Sequence, residues 1–282
     1  MQPTFEPSPA GHPARRAPGV PALKSRTFQC MGTVISLALP AGGALLDDGQ
    51  VLEGATAAVE RVFAGLDAVF SLYRPDSEAS RLARGEVTHR EASAPFRARF
   101  ADATGWGLLT EGFFTPERPD GVLDLSGIIK GYAIDQAATA LQDIGVEDWC
   151  LNAGGDVLVS GSPAPGTGSP WLAGVVDPLD RGALLSGFPL GGTGRFAALA
   201  TSGTAERGDH IWRAGTGRTE FRRSEFRQAS VAALDIVTAD VLATAIVAGG
   251  RPMLNWATDS WDIEVLAVLG SGELLATPGF QA

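Results

Sequence analysis

Cysteine is almost absent from this chain. Cys30 and Cys150 are the only two among 282 residues, and they show no CxxC spacing. Neither a disulfide framework nor a structural zinc site is supported, and at most one bridge could form. Basic residues are also scarce, 22 against 32 acids, which leaves a net charge of −10. Such a surface repels nucleic acid and anionic lipid, so neither is an expected partner. A polyanionic small ligand would need a local cation or an amide-rich pocket. No apolar stretch reads as a membrane span, and the Pro- and Ala-rich start has neither the apolar run of a signal peptide nor a lipid-attachment cysteine. The expectation is a cytoplasmic protein without membrane insertion. Three common motifs are missing too: the GxxxxGK[ST] phosphate loop, the GxGxxG dinucleotide turn and the GxSxG nucleophile elbow.

What remains is the composition of a globular protein, 45% hydrophobic and 19% charged, with 36 glycines and 18 prolines to make many tight turns. The length suits one large domain or two intimate halves. Residues 1–24 are expected to be disordered and 25–282 to form the folded domain.

Periodicity predicts the elements. Strands are expected at 33–39, 122–125, 148–152, 157–161, 171–176, 196–201 and 231–234, with a terminal hairpin over 261–276. Helices are expected at 52–72, 95–111, 128–144 and 238–247, the last with Thr238 as its N-cap, Asp240 in its first turn and Gly249-Gly250 as its C-cap. Residues 204–228 read as polar loop and hairpin. The absence of a regular strand–helix alternation favours an α+β fold over a doubly wound parallel sheet.

Four segments carry chemistry. Within Ala239–Ala245, Asp240 and Thr244 fall four residues apart in an apolar run, one helical turn apart on one face. Two hard oxygen donors there suit Mg²⁺, and a buried Asp needs something to neutralise it. The plain alternative is a solvent-facing Asp and a Thr bonded to its own backbone. In Asp124–Asp135, Gly127 allows a turn and Lys130 sits near a helix start, where free amides and an ammonium favour phosphate. In Asn152-Ala153-Gly154-Gly155-Asp156, adjacent glycines after a strand let backbone amides approach a ring or phosphate, although Gly-Gly is also an ordinary hairpin turn. In Ala200–Ile211, small hydroxyl residues and Gly203 end a strand. His210, one of three histidines, lies beside Asp209 and Arg207 and could shuttle a proton at neutral pH.

Taken in order with Met31-Gly32-Thr33, Tyr73 through Ser77-Glu78, Gly112–Phe114 and Trp171–Pro178, these segments resemble the ApbE family of flavin transferases (FAD:protein FMN transferases). The likeness runs from about Phe28 to the C-terminus. It implies a single α+β domain related to the T-fold, with mixed, largely antiparallel sheets flanked by helices. It also implies an activity: FMN passes from FAD to a Ser or Thr hydroxyl of an acceptor flavoprotein subunit, and AMP leaves. Some relatives instead hydrolyse FAD to FMN and AMP, and a non-catalytic FAD-binding protein is a third reading.

By the same resemblance, the metal (Mg²⁺, or Mn²⁺) is held by Asp240, Thr244 and the Ile129 carbonyl. FAD is contacted by Met31, Tyr73, Lys130, Asp135, Asn152, Gly154, Gly155, Asp156, Thr201, Ser202 and Gly203, and His210 is the catalytic base. The chain departs from the family pattern at Thr115, where Asp is usual, and at Ile129, where Ala is common. It also departs at Thr204-Ala205 and over Trp212–Gly217, beside the expected base.

Overall fold

The computed structural model describes residues 22–42, 48–203 and 224–280. Ten strands run in chain order: β1 (Leu23–Cys30), β2 (Thr33–Pro40), β3 (Trp149–Ala153), β4 (Asp156–Ser160), β5 (Trp171–Val176), β6 (Leu184–Leu190), β7 (Ala198–Gly203), β8 (Phe226–Ala233), β9 (Glu264–Leu269) and β10 (Leu274–Ala276). Five helices lie between them: α1 (Asp48–Phe70), α2 (Glu78–Ala83), α3 (Ala94–Leu109), α4 (Ser126–Asp143) and α5 (Ile236–Ser260). Eight strands form one sheet in the order β1-β2-β3-β4-β7-β8-β9-β10, and β5 and β6 form a separate two-stranded sheet. Every pairing is antiparallel, in line with the expected α+β class.

Both faces of the central strands are covered, which is why they read as nearly continuous apolar runs. Leu158 of β4, Ala198 and Ala200 of β7, Val231 of β8 and Val265 of β9 join the helices in the main core. Val157, Val159, Leu199, Ala232 and Leu266 point the other way and pack under Trp171, Ala173, Val175, Phe188 and Leu190 of the β5–β6 hairpin. The hairpin's period-two burial follows from this: the inner residues of β5 are buried and Leu172, Gly174 and Val176 face outward.

Several expectations are corrected. β1 begins at Leu23, ahead of the predicted start of order, because it pairs along its whole length with β2; residues 1–21 lie outside the described residues. Residues 122–125 form no strand but only an isolated bridge, Glu117 to Leu123. Two short elements, α2 and β6, escaped the periodicity, since six or seven residues with scattered apolar positions carry little signal. Thr238 does not cap α5. Asp235 does, its side chain accepting the Thr238 amide, so Asp240 sits in the second turn rather than the first. The predicted Gly-Gly stop is real in conformation: Gly250 adopts φ 65°, ψ −155°, and the helix resumes beyond it to Ser260.

By length and hydropathy α5 could cross a membrane, contrary to the expectation of no such stretch. Most of its residues through Gly250 are buried inside the fold, which makes it a core helix. Cys30 and Cys150 are both free thiols.

Candidate functional site

α4 and α5 cross closely, and Gly131 makes the crossing possible. A Cβ at Gly131 would lie 3.2 Å from Asp240 Oδ2 and 3.3 Å from Val237 Cα. With no side chain there, the Gly131 amide donates to Asp240 Oδ2 at 3.1 Å. Lys130, the preceding residue, sends its ammonium to Asp156 Oδ2 and lies 3.7 Å from Asp240 Oδ1. Asp156 starts β4, is fully buried, and accepts the Thr201 amide of β7 at 3.0 Å. Asp240 is 2% exposed. Two buried carboxylates thus share one ammonium. Burial is the main force pushing the Asp240 carboxyl up, to about 7, and Asp156 pushes the same way; Lys130 and the Gly131 amide pull it down.

This cluster forms part of the floor of a cleft of about 600 Å³. Thr244, one turn along α5 from Asp240, lines the same cleft, its hydroxyl 2.9 Å from that of Ser202. The glycine turn between β3 and β4 supplies another wall. Gly154 has φ 64° and Gly155 φ 100°, and the Gly155 amide donates to Asn152 Oδ1 at 2.9 Å. Gly154 must be glycine for a second reason: a Cβ there would sit 2.4 Å from Thr33 Oγ1. The β7 end, Thr201-Ser202-Gly203, closes a third side.

Of the residues singled out in sequence, Lys130, Asn152, Gly154, Gly155, Thr201, Ser202, Gly203, Asp240 and Thr244 therefore converge on one cleft. Asp156 stands behind it as the partner of Lys130. The others do not line it. Ile129 is buried in the main core. Asp135 lies farther along α4 and meets its neighbour Gln136. Met31 sits in the β1–β2 turn with φ 51° and packs against the core. Tyr73 is 96% exposed. His210, with Arg207 and Asp209, lies outside the described residues. Five cleft residues received no role from the sequence: Phe113, Asp177 and Pro178, which fall inside segments that carry the resemblance, and Arg181 and Gln228, which do not. Gln228 was assigned to loop, and the one available signal was a lone amide in the apolar run from Phe226 to Ala233.

The donor set fits a small hard cation. Among the described residues no group of three His, Cys, Asp or Glu side chains could hold a metal by itself. One buried carboxylate and one hydroxyl instead leave room for water and phosphate oxygens, the coordination Mg²⁺ prefers. The negative charge left over after Lys130 is shared gives such an ion a reason to enter.

The model of the ApbE family matches residues 115–267, more than half of the chain. The chain belongs to the ApbE family. Its fold agrees with those of solved ApbE proteins. The flavinyl transferase ApbE of Pseudomonas stutzeri in its apo form superposes with a TM-score of 0.73 at 18% identity, over 94% of this chain and 99% of that one. The ApbE protein of Thermotoga maritima gives 0.70 at 18%, over 92% and 98%. The flavin transferase ApbE of Vibrio cholerae gives 0.69 at 21%, over 93% and 99%. No curated protein sequence matches the chain significantly. In this ApbE-family member, the matched region contains α4, the glycine turn, β7 and the Asp240–Thr244 pair, which are the elements that build the cleft.

Proposed function

We propose that this protein transfers FMN from FAD to a Ser or Thr hydroxyl of an acceptor flavoprotein subunit, releasing AMP. The observation that carries the reading is the convergence of Lys130, the Gly154-Gly155 turn, Thr201–Gly203, Asp240 and Thr244 on one cleft. Family membership supports it, as does the likeness in fold to proteins named as flavin transferases. The cleft volume of about 600 Å³ falls within the range typical of small-molecule sites.

Asp240 and Thr244, which both line the cleft, would hold Mg²⁺ or Mn²⁺, with water and phosphate oxygens completing the shell. When bound, the ion would neutralise the pyrophosphate and the charge developing on AMP. The chain's own groups do the rest. Lys130 holds Asp156 through its ion pair and lends part of its charge to Asp240. The Thr201 backbone, tied to Asp156, fixes the strand end that presents Ser202 and Gly203. Flanking glycines leave backbone amides approachable by phosphate oxygens. The acceptor oxygen attacks the FMN-side phosphorus. The bond from that phosphorus to the bridging oxygen breaks, AMP departs with that oxygen, and His210 takes the hydroxyl proton.

The test is mass spectrometry of a candidate acceptor co-expressed with wild-type, Asp240→Ala or His210→Ala protein. Wild type should add the mass of FMN to the acceptor. Asp240→Ala should abolish the gain, and His210→Ala should slow it by roughly 10²-fold or more while FAD still binds. FAD returned intact after incubation with the wild-type protein, Mg²⁺ and acceptor would overturn the reading. Release of free FMN and AMP without modified acceptor would replace it with a pyrophosphatase.

A further inference from the structure

We infer that Gln228 is a positioning residue for substrate binding: it latches the β5–β6 hairpin over the cleft. The inference rests on the reading that the cleft takes FAD.

The hairpin belongs to a different sheet from the cleft floor. Its inner face packs on the main sheet chiefly through apolar contacts: Trp171, Ala173, Val175, Phe188 and Leu190 over Val157, Val159, Leu199, Ala232 and Leu266. Such burial is strong but non-directional. It holds the hairpin down without fixing where along the sheet it rests. Two side-chain hydrogen bonds supply the direction, one at each end of β5. Trp171 Nε1 donates to the Ser160 carbonyl at 3.1 Å at the end away from the cleft. Gln228 Nε2 donates to the Val176 carbonyl at 3.0 Å at the cleft end.

Three details single out the second bond. Gln228 is buried yet lines the cleft, as do Val176, Asp177, Pro178 and Arg181 on the far side of the bond. The residue opposite Gln228 on β7 is Gly203, itself part of the cleft. Both strands also break register at this bond, β5–β6 between Val175 and Val176 and β8–β9 between Phe226 and Gln228. A bulge turns a side chain or carbonyl out of its regular direction, and here two of them aim a donor and an acceptor at each other. Because a carbonyl can only accept, the amide nitrogen must face Val176.

Losing the latch would free the cleft end of the hairpin, and with it the wall that carries Val176 to Arg181, while the floor of Lys130, Asp240 and Thr244 stays intact. The cost should therefore fall on FAD binding rather than on the chemical step.

The experiment compares Gln228→Met, which keeps bulk and removes the donor, with Trp171→Phe, which removes the remote latch. FAD dissociation constants, KM and kcat, and thermal midpoints are measured for wild type and each variant. Gln228→Met should weaken FAD binding and raise KM by about tenfold, the size expected for one buried hydrogen bond, with kcat within roughly threefold of wild type. Gln228→Glu, which cannot donate when ionised, should behave at least as badly. Trp171→Phe should lower the thermal midpoint without moving KM. Equal KM changes in the two single variants, or none in Gln228→Met, would overturn the inference. Failure of the wild-type protein to bind FAD would instead overturn the functional reading on which it rests.

Discussion

Gly131 and Asp240 touch where two helices cross. The glycine amide donates to the carboxylate at 3.1 Å, and a methyl group on Gly131 would press against α5 at 3.2–3.3 Å, tighter than ordinary packing. Gly131→Ala would place a Cβ 3.3 Å from the Val237 backbone, which cannot swing away as a side-chain tip could. The substitution should cost about 1–3 kcal/mol through overpacking and move Asp240 relative to Thr244. Denaturant midpoints and Mg²⁺ titration of the same variant should fall together; an unchanged midpoint would show that the helices separate freely.

Asp240 gives a pH signature. Its folded pKa is raised to about 7, chiefly by burial, whereas an unfolded Asp titrates near pH 4. Between these values the folded state holds the extra proton. Metal-free stability should therefore be fullest below about pH 4 in respect of this group and decline as pH rises towards about 7. Asp240→Asn should flatten that decline in chemical denaturation curves recorded without divalent ions. A cation that binds the ionised carboxylate should bind better as pH rises through the same window, and should raise the thermal midpoint of wild type but not of Asp240→Asn.

Lys130 balances two acids. Lys130→Met leaves Asp156 and Asp240 buried without their ammonium, and removing one partner of a buried pair costs about 3–5 kcal/mol. Adding Asp156→Asn to that variant should restore part of the loss, since one uncompensated charge is then gone. A double-mutant cycle on unfolding free energies measures the recovery; strict additivity would mean that the ion pair is energetically silent.

The glycine turn can be divided into steric and conformational parts. Gly154→Ala meets Thr33 Oγ1 at 2.4 Å and must also hold φ at +64°, which alone costs a residue with a Cβ about 1–2 kcal/mol. Thr33→Ala in the same chain should relieve the clash and leave the backbone cost. Comparing midpoints of the single and double variants separates the two, and full rescue by Thr33→Ala would show that the left-handed conformation is free.

The sequence carried the floor of the cleft and lost its wall. Asp240 and Thr244 were legible because helical spacing puts them on one face; Gly154-Gly155, which also read as an ordinary hairpin turn, stood out only through its place in the ordered set of segments. The strand at 171–176 was legible, but its place over the cleft was not. Asp177, Arg181 and Gln228 are brought together by a hairpin crossing to a second sheet, and no local period encodes that crossing. Tyr73, whose place in a motif suggested a contact, stands in solvent and does not line the cleft. Asp235 took the cap expected of Thr238 because the chain enters the helix three residues sooner.

From Ile236 to Gly250 the helix that carries Asp240 and Thr244 is enclosed almost all round. Fraying of that helix offers an ion no back door, so traffic with bulk water would pass through the mouth bordered by the hairpin.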